Sequence, residues 1–507
     1  MAEKKQLRMY GGWTMPRSEG LFGLTAPVTV AFFVWVILVV ILGGVVSWFV
    51  AGPVAIAGII GGVLLVLKPQ GRPVSEWIGL RMEFNRAKKK GLAKYLSGPF
   101  SRVPGGRYAL PGVLGRLEVS EHYTGGNQPF AMLHDPQRSE YTVVFGIWPQ
   151  GDQLVDSDVM DSWVDQWGAF LANLGAEGDV VAATAVVETF PSTGMKVRQE
   201  VRSITKLDAP VFAQQVMVEA AEMHSSQRIE LEARLSITFK ATTSEKRRDV
   251  SAQAKDLAVR LPLLQSQIEY AGQNTRPLAI DDLVTVAKRA YSSSLHPEIE
   301  ALSATSRGHE IEWADAGPSQ AEQTPSYYVH DGSVSSTWEM VIPPRGYVPH
   351  RVLRGLLMKD IDLSTKRVAV CYRPHTAAEA AKLVDSDAIN KRERTKQERG
   401  RRGSASARAE LDEASAEQAR QAEALGHGLT RFGLLVTVTE PAQDLDESGH
   451  MTVDKMPNAE AILKSLSQRS RIQLRRRYCS QQLSFAAALG LGINIPEHLS
   501  AAALVQG

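Results

Sequence analysis

The residues that could do chemistry are few and scattered. Eleven histidines occur, and none stands three or four residues from another, so no pair shares a helical face as a HExxH zinc site requires. Asp281-Asp282 and Asp385 with Asp387 are paired carboxylates, the type used for general acid–base work when their surroundings split their pKa values. The first pair falls at the expected start of a helix, where negative charge complements the macrodipole, so capping explains it better than catalysis. Cys371 lies within an expected strand and reads as buried rather than nucleophilic. Cys371 and Cys479 are the only cysteines and form no CxxC pair, which excludes a disulfide-stapled scaffold and a cysteine zinc module and points to a reducing compartment. No GxxxxGK[ST], HExxH, GxSxG or calcium-loop pattern occurs. The expectation is a protein that is not an enzyme, with no catalytic, cofactor-binding or metal residue assigned and no cofactor.

Two arginine clusters could meet phosphate: Arg392, Arg394, Arg399, Arg401 and Arg402, and Arg475, Arg476 and Arg477. Glu393, Glu398, Glu410 and Glu413 lie near the first, which favours a solvated, ion-paired face. The whole chain is nearly neutral, with 57 Lys+Arg against 55 Asp+Glu, and this argues against a protein that coats nucleic acid. Its 22% charged and 44% hydrophobic residues are those of a folded protein.

The elements that must position these groups begin with an apolar stretch. Residues 20–67 contain no Asp, Glu, Lys, Arg or His. One membrane span takes about 20 residues, so the run predicts a transmembrane hairpin of helices near 27–48 and 53–67, turning at Ala51-Gly52-Pro53. A signal peptide would need a single, shorter apolar core. Gly58 and Gly62 give a GxxxG spacing that lets helix backbones approach. Lys4, Lys5, Arg8 and Arg17 precede the pair, and Lys68, Arg72, Arg81, Arg86 and Lys88-Lys89-Lys90 follow it. That distribution predicts a multi-pass protein of the plasma (inner) membrane with both termini cytoplasmic.

Beyond the hairpin, alternation of apolar and polar residues predicts strands near 231–239, 334–342 and 432–438; 141–147 reads as a buried strand, and further strands are expected near 180–188, 367–373 and 471–478. Helical spacing joins Val155, Val159, Trp163, Trp167, Phe170 and Leu174, and again Ala254, Leu257, Ala258, Leu261 and Leu264. A third face is Ile280, Leu283, Val284, Ala287 and Tyr291. Strand, helix, strand thus recurs at least three times, which suggests an α+β class built from ferredoxin-like repeats. Residues 376–428 are rich in Ala, Glu, Arg and Lys and lack aromatics; they predict an inserted, projecting helical hairpin broken near 400–406 and stopped by Gly426 and Gly428. The expected organisation is a cytoplasmic tail (1–26), the transmembrane hairpin (27–68), a basic juxtamembrane helix (69–96) and a first α+β domain (97–245). A second α+β region (246–375), the helical hairpin (376–428) and a C-terminal βαβ segment (429–507) complete the body.

Several short stretches then carry a resemblance. They are Tyr10-Gly11-Gly12-Trp13, Ser97-Gly98-Pro99-Phe100-Ser101-Arg102-Val103-Pro104, Leu110-Pro111-Gly112 and Tyr141-Thr142-Val143-Val144. Trp313-Ala314-Asp315-Ala316-Gly317-Pro318, Tyr372-Arg373-Pro374-His375 and Arg431-Phe432-Gly433-Leu434-Leu435-Val436-Thr437 continue the series. Taken in order, the chain resembles an actinobacterial family of inner-membrane proteins associated with type IV secretion- or conjugation-like ATPases. In that family a PrgI-like two-helix membrane segment is fused to a cytoplasmic part similar to the N-terminal domain of the ATPase. Gln482 with Phe485-Ala486-Ala487-Ala488-Leu489-Gly490 is similar to the stretch that leads such ATPases into their motor domain, though Leu489-Gly490-Leu491-Gly492 stands where Leu-Pro-x-Gly is usual. The resemblance implies a non-enzymatic inner-membrane scaffold that recruits a separate P-loop ATPase. The partners it implies are the membrane, that ATPase and further copies of the chain. The alternative is a membrane-tethered nucleic-acid-binding module of a DNA-transfer system, using the two arginine clusters.

Overall fold

The computed structural model describes residues 9–11, 26–45, 48–66, 74–98, 109–149, 155–206, 208–225, 229–303, 308–344, 346–445, 451–452 and 456–495. The remainder of the expected N-terminal tail and the resembling stretch from Pro99 to Pro104 lie outside the described residues.

Among the described residues, thirteen strands form one sheet, and every pairing within it is antiparallel. In chain order they are β1 (Lys94–Leu96), β2 (Glu118–Tyr123), β3 (Pro129–Asp135), β4 (Glu140–Pro149), β5 (Val180–Pro191), β6 (Ile229–Lys240) and β7 (Gln273–Pro277). There follow β8 (Gln320–Gln323), β9 (Tyr328–His330), β10 (Ser333–Ile342), β11 (Thr365–Pro374), β12 (Thr430–Pro441) and β13 (Gln473–Arg476). The main path runs β1-β8-β9-β10-β12-β11-β5-β6-β4-β3-β2, with β7 paired to β4 and β13 to β10.

That order contains one motif twice. The first half runs β4, α4 (Ser157–Ala176), β5, β6, α7 (Val250–Tyr270), β7, with strands side by side as β7-β4-β6-β5. The second runs β10, α9 (Arg354–Leu357), β11, β12, α12 (Met456–Arg469), β13, side by side as β13-β10-β12-β11. Both have the fourth–first–third–second order of a ferredoxin-like unit. Lengths agree as well: β4 and β10 have 10 residues each, and β6 and β12 have 12 each. The strand-helix-strand pattern read at least three times in the sequence occurs twice in each half, and strands far apart in the chain join one long sheet. The halves meet where β5 pairs antiparallel with β11, from Ala183 opposite Tyr372 to Thr189 opposite Lys366. Equivalent strands pairing antiparallel relate the halves by an approximate two-fold.

The register separates the two faces. Ala185 opposite Val370 lies on the face packed by α4 and α7 in the first half and by α9 and α12 in the second. Val186 opposite Ala369 lies on the other face, under one shared core that includes α8 (Ile280–Tyr291) and α13 (Gln481–Ala488). Each half also inserts a helical hairpin between its second and third strands: α5 (Met195–Ile204) with α6 (Val211–Ser225), and α10 (Ala377–Arg402) with α11 (Ala407–Ala424). The first of these was not read from the sequence. In the second, Gly400 lies inside α10, and Gly403 with φ +74° supplies the stop.

At the N-terminus, α1 (Ala26–Val45) and α2 (Trp48–Val66) pack on each other and precede α3 (Val74–Lys89). α1 ends at Val45 and α2 begins at Trp48, and Pro53, expected in the turn, lies inside α2. There it gives up one i→i−4 hydrogen bond instead of ending the helix. The expected transmembrane hairpin, membrane partner and multi-pass inner-membrane location are corrected here: among the described residues, no helix is long and apolar enough to cross a membrane. The turn expected at Ala51-Gly52-Pro53 is helical, so the helices expected near 27–48 and 53–67 run instead as Ala26–Val45 and Trp48–Val66.

Candidate functional site

The densest cluster of charge sits at the seam between the halves, on the α8 and α13 face. Glu188 of β5 is fully buried, directly opposite Arg367 of β11. Arg367 Nη2 donates to Glu188 Oε1 at 2.6 Å. Arg234 Nη1 of β6 donates to Oε2 at 2.8 Å, and Arg289 Nη2 of α8 reaches the same oxygen at 3.3 Å. Arg289 Nη2 also donates to Glu232 Oε2 at 2.6 Å. Desolvation alone would raise the Glu188 pKa, but the guanidiniums of Arg367, Arg289 and Arg234 outweigh it and hold the carboxyl well below its ordinary range.

The same cluster seats α13. Arg234 Nε donates to the carbonyl of Leu489 at 2.8 Å, and the Arg367 guanidinium lies 5.4 Å from the centre of the Phe485 ring. Phe485 packs against Tyr291, Tyr328 and His330, with centroids 5.1, 5.3 and 5.0 Å away. Gln481 is fully buried; its Oε1 accepts from the Thr337 amide at 2.8 Å and its Nε2 donates to the Arg477 carbonyl at 2.9 Å. Gly490 has φ +69°, and a Cβ there would fall 2.6 Å from Val186. Gly492 has φ +84°. Both glycines of Leu489-Gly490-Leu491-Gly492 therefore supply left-handed backbone that lets the chain close against the sheet.

The residues singled out in the sequence do not converge. Asp282 accepts from the Ala279 amide at 3.0 Å at the start of α8 and pairs with Arg276 at 2.9 Å. Asp387 pairs with Lys391 one turn along α10. Cys371 lies on β11, where burial pushes its thiol up to about 11, well away from nucleophilic use at neutral pH. His330 is buried, its Nδ1 2.6 Å from the Tyr291 carbonyl and its Nε2 2.8 Å from Ser335 Oγ; desolvation lowers its pKa to about 4. Among the described residues, no group of three or more His, Cys, Asp or Glu could hold a metal.

Five of the eight arginines of these clusters are ion-paired. Arg475 and Arg477 both reach Glu339 at 2.6 Å, and Arg476 reaches Glu460 at 2.6 Å. Arg394 pairs with Glu398, and Arg399 with Glu410 across the α10–α11 hairpin. A cleft of about 500 Å³ between those helices is lined by Arg392, Arg399, Arg420, Glu410, Glu413 and Glu417, opposite charges that largely satisfy one another. The other notable surface is apolar. Along the outer side of α7, Val259, Leu263 and Tyr270 are 80%, 60% and 72% exposed. Ala258, Val259 and Pro262 join Gly125 and Gly126 of the β2–β3 turn around an open depression of about 630 Å³, with Lys255 at its margin. Exposed leucine, valine and tyrosine on an otherwise well-packed helix fit a surface that meets another protein.

Residues 17–76 are similar to a domain of unknown function, DUF8461. That match covers α1, α2 and the start of α3 and does not reach the sheet. No curated protein matches the chain.

Proposed function

We propose that this chain is a non-enzymatic scaffold subunit of a type IV secretion- or conjugation-like apparatus, and that it recruits a separate P-loop ATPase. The observation that carries this reading is the seating of α13. The segment that resembles the lead into an ATPase motor domain is built into the shared core, with Phe485 and Leu489 fully buried and Arg234 bonded to the Leu489 carbonyl. A segment fixed this way belongs to the body of the scaffold rather than to a flexible connection, and this fits a motor carried on another chain. The exposed stripe of α7 is the surface assigned to that partner, and the α10–α11 hairpin is a second contact.

The test is affinity isolation of the full-length chain from its native host, with mass spectrometry of the co-purifying proteins. Recovery of one P-loop ATPase in fixed ratio supports the scaffold; recovery of the chain with nucleic acid and no ATPase overturns it. Deleting residues 377–425 should reduce ATPase recovery, and unchanged recovery removes the hairpin from the contact. The nucleic-acid reading loses its footing at Arg475, Arg476 and Arg477, whose charges are already paired with Glu339 and Glu460.

A further inference from the structure

The seam cluster carries more positive than negative charge. Three guanidiniums, Arg234, Arg289 and Arg367, have side chains 3%, 5% and 1% exposed. Against them stand the fully buried Glu188, which all three share, and Glu232, which is 34% exposed and pairs with Arg289. Arginine does not lose its proton in proteins, so among the described residues one buried positive charge is left over. The neighbours do not supply the missing anion. Burial raises the Tyr291 pKa far above neutrality, so its hydroxyl stays neutral, and the desolvated His330 is neutral too. The carboxylate of Asp331 accepts from the Ser319 and Gln320 amides and from Ser292 Oγ, and the ion pairs of the three guanidiniums run to Glu188 and Glu232.

Hydrogen bonding leaves the same remainder. Arg367 Nε and Nη1, Arg234 Nη2 and Arg289 Nε are buried and have no acceptor among the described residues. Native interiors rarely leave such donors unmatched, and an unbalanced buried charge is costly. All of them belong to side chains that converge on one carboxylate.

We propose that the seam binds a small monovalent anion, chloride in particular, held by the unpartnered N–H groups of Arg367 and Arg234 beside Glu188. Burial on all sides excludes a nucleotide, a phosphopeptide or a lipid headgroup and leaves only an ion of one or a few atoms. Because Arg234 also holds the Leu489 carbonyl and Arg367 lies over Phe485, occupancy would stiffen the seat of α13 and the joint between the halves. The inference does not depend on the scaffold reading, since its readouts involve no ATPase.

The direct experiment is bromide exchange into crystals of the full-length chain, with anomalous diffraction at the bromine edge. A peak within hydrogen-bonding distance of Arg367 and Arg234 supports the site; ordered water there, with bromide only at surface lysines or nowhere, overturns it. In solution, exchanging gluconate for chloride at constant ionic strength should raise Tm by about 2–4 °C and then saturate. Arg367→Met should abolish that chloride dependence, while Arg399→Met on the exposed hairpin should leave it intact. A Tm that ignores chloride, or that rises without saturation equally in both variants, contradicts the proposal. If Arg367→Met does not fold, the bromide experiment on the unaltered chain still decides.

Discussion

The two ferredoxin-like halves share strand order, the lengths of their first and third strands and the position of their inserted hairpins, yet their interiors are differently charged. Aligning β6 with β12 from their first residues puts Glu232 level with Gly433 and Arg234 level with Leu435. Through the strand pairings, Glu188 then corresponds to Cys371, and Ala183 corresponds to Lys366. The first half therefore contributes Glu188 and Arg234 to the seam where the second contributes Cys371 and Leu435. Their outer helices differ in the opposite sense. On α7, Val259 and Leu263 face outward, whereas on α12 Glu460 and Lys464 do. A repeated backbone thus specifies the layers, and the differences between its copies locate the polar joint and the surface open to a partner.

The largest effect should come from breaking the seam. Glu188→Gln leaves three buried guanidiniums without their shared carboxylate and should cost about 3–5 kcal/mol in denaturant unfolding. Cys371→Ser, at the corresponding position, should cost less than about 1.5 kcal/mol; equal losses would remove the special status of the seam. Below about pH 4 the wild-type protein should lose stability that the Gln variant never had. The folded-state pKa of Glu188 is depressed, so its contribution is present above the unfolded pKa and is lost as the carboxyl protonates.

Lys366 offers a second contrast, because its counterpart Ala183 carries no charge. It is almost fully buried, its Nζ donates to the Met358 carbonyl at 2.5 Å, and desolvation lowers its pKa to about 8. A depressed lysine pKa means that the unfolded chain binds more protons between about pH 8 and pH 10.4, so stability should rise with pH across that window. Lys366→Met should flatten the rise, which has a span of about 3 kcal/mol. An unchanged profile would place the ammonium in water.

The two hairpins differ at their first turn. Thr376 accepts from the Glu379 amide at 3.4 Å and Glu379 from the Thr376 amide at 3.3 Å, a capping box, whereas α5 begins at Gly194 with no side-chain cap. Thr376→Ala should cost about 1 kcal/mol, read as faster amide exchange confined to α10. The smallest effect on stability should come from Val259→Lys with Leu263→Lys, within about 0.5 kcal/mol per site. ATPase recovery should nevertheless fall with that pair and not with Glu460→Ala on α12.

Much of this architecture was legible in the sequence. Leu231, Ala233, Leu235, Ile237 and Phe239 alternate along β6, and Phe432, Leu434, Val436 and Val438 along β12. The apolar faces of α7 and α8 and the charged α10–α11 hairpin were equally plain. The seam was not, because Glu188 ends the largely apolar run 180–188 and Arg234 occupies the polar phase of a strand that looked half-buried. Helices cover both faces of the sheet, so that phase is interior as well. β7, with the sequence Gln273-Asn274-Thr275-Arg276-Pro277, has no apolar alternation and is a strand because β4 offers it a free edge. The α5–α6 hairpin was missed because its exposed Val211, Phe212 and Met223 blur the contrast between inner and outer faces.

The most direct test of the scaffold account is analytical ultracentrifugation of the purified full-length chain mixed with its co-isolated ATPase, with and without the Val259→Lys and Leu263→Lys changes. The account predicts a discrete complex of fixed stoichiometry that the α7 changes dissociate. Two components that sediment independently at every concentration would contradict it.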